Sequence, residues 1–104
     1  MTRFSAPPTV ISEADFQRRV MDTAQRCGWI IVHTRPARTA RGWVTPYEGD
    51  QGLPDLILAR RGRVLLVELK SDKGRATAAQ LRWLQEAGPN GRLWRPRHQG
   101  CASG

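Results

Sequence analysis

Two apolar runs, "DLILAR" at 55 to 60 and "RVLLVELK" at 63 to 70, constrain this chain more than any other feature. Leu, Ile and Val fill both faces of each run, as in strands that are covered on both sides. Arg61-Gly62 joins them as a two-residue hairpin turn, although Arg-Gly is a poorer turn pair than Asn-Gly. With Arg60 opposite Arg63, Asp55 falls opposite Glu68, their Cβ atoms about 5 Å apart. Lys70, two residues beyond Glu68, shares its face because side chains alternate along a strand. Two carboxylates and an ammonium therefore meet at one end of a covered hairpin, where charge is costly unless it is paired or binds an ion. One reading is structural: Asp55 after Pro54 opens a turn, and Glu68 and Lys70 form a same-face ion pair. The other is a metal site, since two repelling acids beside an open loop either raise a pKa or capture a divalent cation. A one-residue change of turn length would undo the convergence.

The remaining elements are arranged around this hairpin. Residues 1–11, with Pro7-Pro8, form a leader. Ser12 is placed to cap a helix, with Asp15 three residues on, and the helical period runs to Gly28 with Phe16, Val20, Ala24 and Cys27 as its buried stripe. "WIIVHTR" at 29 to 35 is a strand by its β-branched content. Residues 36–54, dense in Pro, Gly and Arg, form a long loop. After the hairpin, Thr77 caps a second helix that ends at Gly88-Pro89-Asn90-Gly91, and "RLWRPR" at 92 to 97 is a final strand before a tail at 98–104. The expected fold is α/β in the order α-β-β-β-α-β, a mixed central sheet flanked by helices, in a single domain over 12–97. A chain of 104 residues holds one core.

Charge restricts the partners. Lys plus Arg number 17 against 9 acids, a net charge of +8, which favours a polyanion such as DNA. Arginine supplies most of this excess, and it forks onto phosphate better than lysine does, although the same preference follows from GC-rich coding. Cys27 and Cys101 lie far apart with no Cys-x-x-Cys pair and no suitably spaced His, which argues against zinc and for a reduced, cytoplasmic setting. No run is long and apolar enough for a membrane span, and the N-terminus lacks a signal peptide's apolar core. No organic cofactor is implied.

Each helix aims one polar side chain toward its apolar side. Glu13 shares the side of Phe16, Val20 and Ala24, and Gln80 that of Trp83, Leu84 and Ala87. Glu13 is equally a first-turn acid favoured by the helix dipole, and Gln80 equally a satisfied amide. A glutamate on the first helix, Gly52-x-Pro54-Asp55 opening a strand, Glu68-x-Lys70 ending the next and Gln80 on the following helix: these five positions in order resemble the VRR-NUC domain, the virus-type replication-repair nuclease family of the PD-(D/E)XK, or restriction-endonuclease-like, superfamily. The resemblance runs from about Ser12 to Arg97.

The resemblance implies a restriction-endonuclease-like core and divalent-metal-dependent hydrolysis of DNA phosphodiester bonds, with endonucleolytic cutting expected. It implies that Asp55 and Glu68 ligate Mg²⁺ or Mn²⁺ with the Leu69 carbonyl as a further ligand. Lys70 orients or helps deprotonate the attacking water, Glu13 is the helix-borne acid near the metal, and Gln80 lies beside the catalytic lysine. Stand-alone members resemble Holliday-junction resolvases and act on branched or flapped DNA, often as homodimers, in phage or mobile-element replication, repair or recombination. With no appended DNA-binding module in this sequence, substrate choice is expected to rest on the 36–54 loop, a partner or a dimer.

Arg35, Arg38 and Arg41 alternate with Trp43 and Tyr47 in that loop, a pattern suited to gripping backbone and stacking unpaired bases, or else to a solvated loop with Trp43 tucked on the core. Lys73 and Arg75 follow the acidic strand and are further phosphate candidates. Arg60, Arg61 and Arg63 belong to a solvated turn. Trp29, Trp83 and Trp94 are expected in the core, and His33 and His98 to be structural. Two rivals stand beside the nuclease: a non-catalytic basic module that binds nucleic acid, and a decayed nuclease retained for interaction.

Overall fold

The computed structural model describes residues 11–34, 37–40, 42–44 and 48–96; at 37–39, 43 and 44 only the backbone is described. The leader at 1–10, the tail, and Arg35, Arg41, Tyr47 and His98 lie outside that set.

Helix α1 spans Glu13–Arg26. Ser12 caps it, its hydroxyl accepting from the Asp15 amide at 3.1 Å. Glu13 and Asp15 in the first turn and Arg26 in the last complement the helix dipole. The helix stops where Gly28 turns to φ +88°, a conformation that side chains with a Cβ rarely adopt.

Among the described residues six strands follow the expected order with two added, β2 and β3: β1 (Ile30–His33), β2 (Ala37–Thr39), β3 (Gly42–Val44), β4 (Leu56–Arg60), β5 (Arg63–Leu69) and β6 (Gly91–Trp94), with α2 (Ala78–Ala87) between β5 and β6. The main sheet runs β1-β4-β5-β6, antiparallel except for the parallel β5–β6 pair. The expected mixed sheet is present. The segment at 36–54 is not wholly a loop, however, because β2 and β3 pair as a separate antiparallel hairpin inserted before β4. Strands of three residues among Pro, Gly and Arg leave no period-2 stretch long enough to read, which is why the sequence conceals them.

The β4–β5 register is the one expected, Leu56 opposite Val67 through Arg60 opposite Arg63. Arg61 and Gly62 at the tip take φ +47° and +84°, the double positive φ of a type I′ turn that matches strand twist. The turn geometry thus sets the pairing despite the unfavourable Arg.

Alternation divides the sheet into two faces. Leu56, Leu58, Leu65, Val67 and Leu69 are buried on one face together with Phe16 and Ala24 of α1, and Ile11, Val20, Met21, Trp29, Ile31 and Trp94 pack around them. Trp29 and Trp94 therefore belong to the core margin, as expected, and the Arg63 guanidinium lies 5.9 Å from the Trp29 ring centroid. α2 covers the other face at the β5–β6 end. There Gly91 allows close approach: a Cβ on it would stand 2.7 Å from the Leu84 carbonyl oxygen. At the β1 side the same face stays bare, with Ile30 at 73%, Val32 at 53% and Val64 at 49% exposure. Cys27 is the C-cap of α1. No helix among the described residues is long and apolar enough to cross a membrane.

Candidate active site

The strand ends gather the charged residues. Asp55 directly precedes β4, and its Oδ2 accepts the Leu69 amide at 2.9 Å, so a side chain continues the ladder where the backbone has not yet begun to pair. On the other flank Thr34, just past β1, donates its amide to the Asp55 carbonyl at 2.8 Å and its hydroxyl to the Pro54 carbonyl at 2.8 Å. Pro54 is fully buried. Asp55 is therefore held from both neighbouring strands, with little conformational freedom left to lose on binding a ligand.

The loop before it is fastened to α2. Gly52 takes φ +91°, and a Cβ there would lie 2.5 Å from the Ala79 backbone carbon, so the loop lies flat on the helix only because this residue is glycine. The Trp83 indole N–H donates to the Gln51 carbonyl at 2.9 Å. Trp83 is half-buried and acts as an anchor for this loop; placing it in the core on its apolar neighbours overlooked its polar end.

Glu68 is the unusual residue. Only 1% exposed, it is the one buried charged side chain among the described residues. Its Oε2 lies 3.4 Å from the Lys70 ammonium, whose side chain is itself 16% exposed. Its Oε1 has no hydrogen-bond partner. Burial, and next the Asp55 charge, push the Glu68 carboxyl from 4.5 up to about 7, with Lys70 opposing them. A proton on Glu68 could bridge to Asp55, which adds to the upward push. A buried, half-satisfied carboxylate beside a second carboxylate is costly to maintain for stability alone. The expected convergence of Asp55, Glu68 and Lys70 is present.

The two helix-borne candidates lie as follows. Glu13 is exposed, and among the described residues no three His, Cys, Asp or Glu side chains group to hold an ion. Its helix packs on the face opposite the acids, so the position on the apolar stripe does not carry Glu13 to them. Gln80 lies in the first turn of α2, where its Oε1 accepts the Thr77 backbone amide at 2.8 Å while the Gln80 backbone amide donates to Thr77 Oγ1 at 3.1 Å. This is a capping box, legible as Thr-x-x-Gln in the sequence, and it engages the Gln80 carbonyl in the helix start.

Lys73 and Arg75 are exposed in the loop after Lys70. Arg38 and Trp43 are register partners in β2 and β3. His33 Nδ1 lies 3.2 Å from Gln17 Nε2, a structural contact as expected. Sequence reading missed Thr34 and Arg95, and it took Gly52 only as part of the Gly52-x-Pro54-Asp55 motif, without its close approach to α2. Extending the β1–β4 register one step places Thr34 opposite Asp55, but that register was not available from the sequence.

The four-stranded mixed sheet with a helix over each face and acids at its strand ends defines an α/β fold. The VRR-NUC domain profile matches residues 11–92, so this chain belongs to the VRR-NUC family, a family of nucleases. A solved structure described as a VRR_NUC domain superposes with a TM-score of 0.58 at 23% identity, over 78% of this chain and 81% of that one, a likeness of fold. No curated protein matches the chain.

Proposed function

We propose that this nuclease domain hydrolyses phosphodiester bonds in DNA with the help of a divalent metal ion, and that it selects branched, flapped or junction DNA in phage or mobile-element replication, repair or recombination. The observation that carries the reading is the buried Glu68 with its unpartnered Oε1 beside Asp55. An all-oxygen, anionic site of this kind fits a hard cation. Asp55, Glu68 and the Leu69 carbonyl would hold Mg²⁺ or Mn²⁺. Bound there, the ion supplies Lewis acidity and lowers the pKa of a water molecule.

The chain's own groups have separate tasks. Asp55 and Glu68 orient what they bind, because both are fixed by strands and not by a loop. The Lys70 ammonium, next to Glu68 and partly open to solvent, orients the attacking water and offsets charge on the phosphate oxygens as it develops. Its pairing with Glu68 keeps it at the site before substrate arrives. Lys73, Arg75 and the β2–β3 hairpin with Arg38 and Trp43 would take the flanking backbone and unpaired bases. The bare face bearing Ile30, Val32 and Val64 supports a homodimer, the arrangement that would engage a two-fold DNA junction.

The test is cleavage of labelled four-way-junction, flap, single-stranded and linear duplex DNA with Mg²⁺, Mn²⁺ or EDTA, comparing the wild type with Lys70→Ala. Metal-dependent cutting that the variant loses, strongest on branched DNA, is expected. Binding without cutting under every metal would leave a basic binding module.

A further inference from the structure

The segment leaving Lys70 is fastened by a residue that no sequence pattern marks. β6 runs parallel to β5, and the Lys70 amide donates to the Trp94 carbonyl at 3.1 Å, so Arg95 leaves the sheet at the same end as Lys70. Its Nη1 donates to the Ser71 carbonyl at 2.6 Å and the Gly74 carbonyl at 2.7 Å, with the Asp72 carbonyl at 3.3 Å. The Gly74 amide donates to the same Ser71 carbonyl at 3.1 Å and closes a four-residue turn. Gly74 sits close in, where a Cβ would lie 3.0 Å from Ser71 Oγ and push that side chain aside. One guanidinium thus gathers the carbonyls of the turn that carries exposed Lys73 and leads into exposed Arg75.

We infer that Arg95 is a positioning residue for substrate: by holding the Ser71–Gly74 turn it sets Lys73 and Arg75 in place to meet DNA phosphates beside the Asp55–Glu68–Lys70 site. The inference rests on the nuclease reading and deepens it. All three bonds come from one nitrogen, Nη1, which the planar, permanently charged guanidinium holds in a fixed direction, whereas a lysine ammonium turns freely on a shorter stem and has no such preset geometry. A turn already ordered meets phosphate without the entropy loss that weakens contacts from a loose loop.

The test is a binding cycle on labelled four-way-junction DNA with Ca²⁺ replacing Mg²⁺ so that affinity is read apart from cutting. It compares the wild type, Arg95→Met, Arg95→Lys, the pair Lys73→Ala with Arg75→Ala, and that pair in each Arg95 background. Two lost phosphate contacts should weaken wild-type binding roughly 10-fold, whereas in either Arg95 variant the same pair should cost less than about 2-fold. Arg95→Lys should fail to restore affinity, and the amides of residues 72–75 should gain fast motion by ¹⁵N relaxation while melting shows the rest folded. Additive losses would overturn the inference. So would recovered affinity in Arg95→Lys while the 72–75 amides stay mobile, which would make Arg95 a direct phosphate contact, or no effect of the Lys73/Arg75 pair in the wild type. Failure of the nuclease reading is separate: a wild type that binds DNA and cuts none with Mg²⁺ or Mn²⁺.

Discussion

The Leu69 amide donates to Asp55 Oδ2 at 2.9 Å, which makes an acid of the candidate site part of the sheet's own ladder. Structural and chemical roles of Asp55 can therefore be separated. Asp55→Asn retains an oxygen acceptor for Leu69, while Asp55→Ala leaves that amide unsatisfied and should lose about 1–3 kcal/mol. Both should lose cleavage by on the order of 10²-fold or more, since neither offers a carboxylate. Chemical denaturation and cleavage rates on the two variants check this. An Asn variant that cuts normally would remove Asp55 from the chemistry.

The raised Glu68 carboxyl makes metal-free stability depend on pH. Its folded pKa, about 7, lies above the ordinary 4.5, so between those values the folded state binds more protons than the unfolded one. Stability from this group is then greatest below about 4.5, falls as pH rises through the window, and levels off above about 7, a span on the order of 3 kcal/mol. Melting in EDTA from pH 5 to 8 should show the decline, and Glu68→Gln should flatten it. Added Mg²⁺ should stabilise the wild type most at the alkaline end, where the carboxylate is ionised.

Lys70 opposes the burial of Glu68. Lys70→Met should therefore push the Glu68 carboxyl higher still and destabilise the metal-free fold chiefly above neutral pH, where the uncompensated charge would have to stay buried. Comparing its melting curve with that of Lys70→Met/Glu68→Gln isolates the effect. The double variant should recover the lost stability while remaining inactive.

Gly52→Ala should cost about 2 kcal/mol or more, because a Cβ meets the Ala79–Gln80 backbone and the φ of +91° disfavours alanine. Gln80→Ala should cost about 1 kcal/mol through the lost capping box, and Gln80→Glu, which preserves the box, much less. If cleavage follows the cap and not the amide, Gln80→Glu remains active. Loss of cleavage in Gln80→Glu without loss of stability would give Gln80 a direct role at the site.

The hairpin made the centre of the site legible. A two-residue turn admits one register, and that register places Asp55 and Glu68 together whatever surrounds them. The helix-borne candidates were less legible, because a position on an apolar stripe says which side of the helix a residue occupies and not which face of the sheet that helix covers. Glu13 falls on the far side for that reason, and Gln80 is taken by a local cap that competes with longer-range contacts. Thr34 and Arg95 act through backbone carbonyls, which carry no side-chain signature in a sequence.

Everything chemical here depends on the Asp55–Glu68 pair holding a divalent cation. Calorimetric titration of Mn²⁺ at pH 7, repeated in two buffers of different ionisation enthalpy, counts the protons released on binding. Wild-type protein should bind one or more ions and release a fraction of a proton, as a Glu68 carboxyl near pKa 7 is forced to ionise, while Glu68→Gln binds more weakly and releases none. No binding at millimolar Mn²⁺, or binding that Glu68→Gln leaves unchanged, would contradict the metal site and return the acids to a structural ion pair.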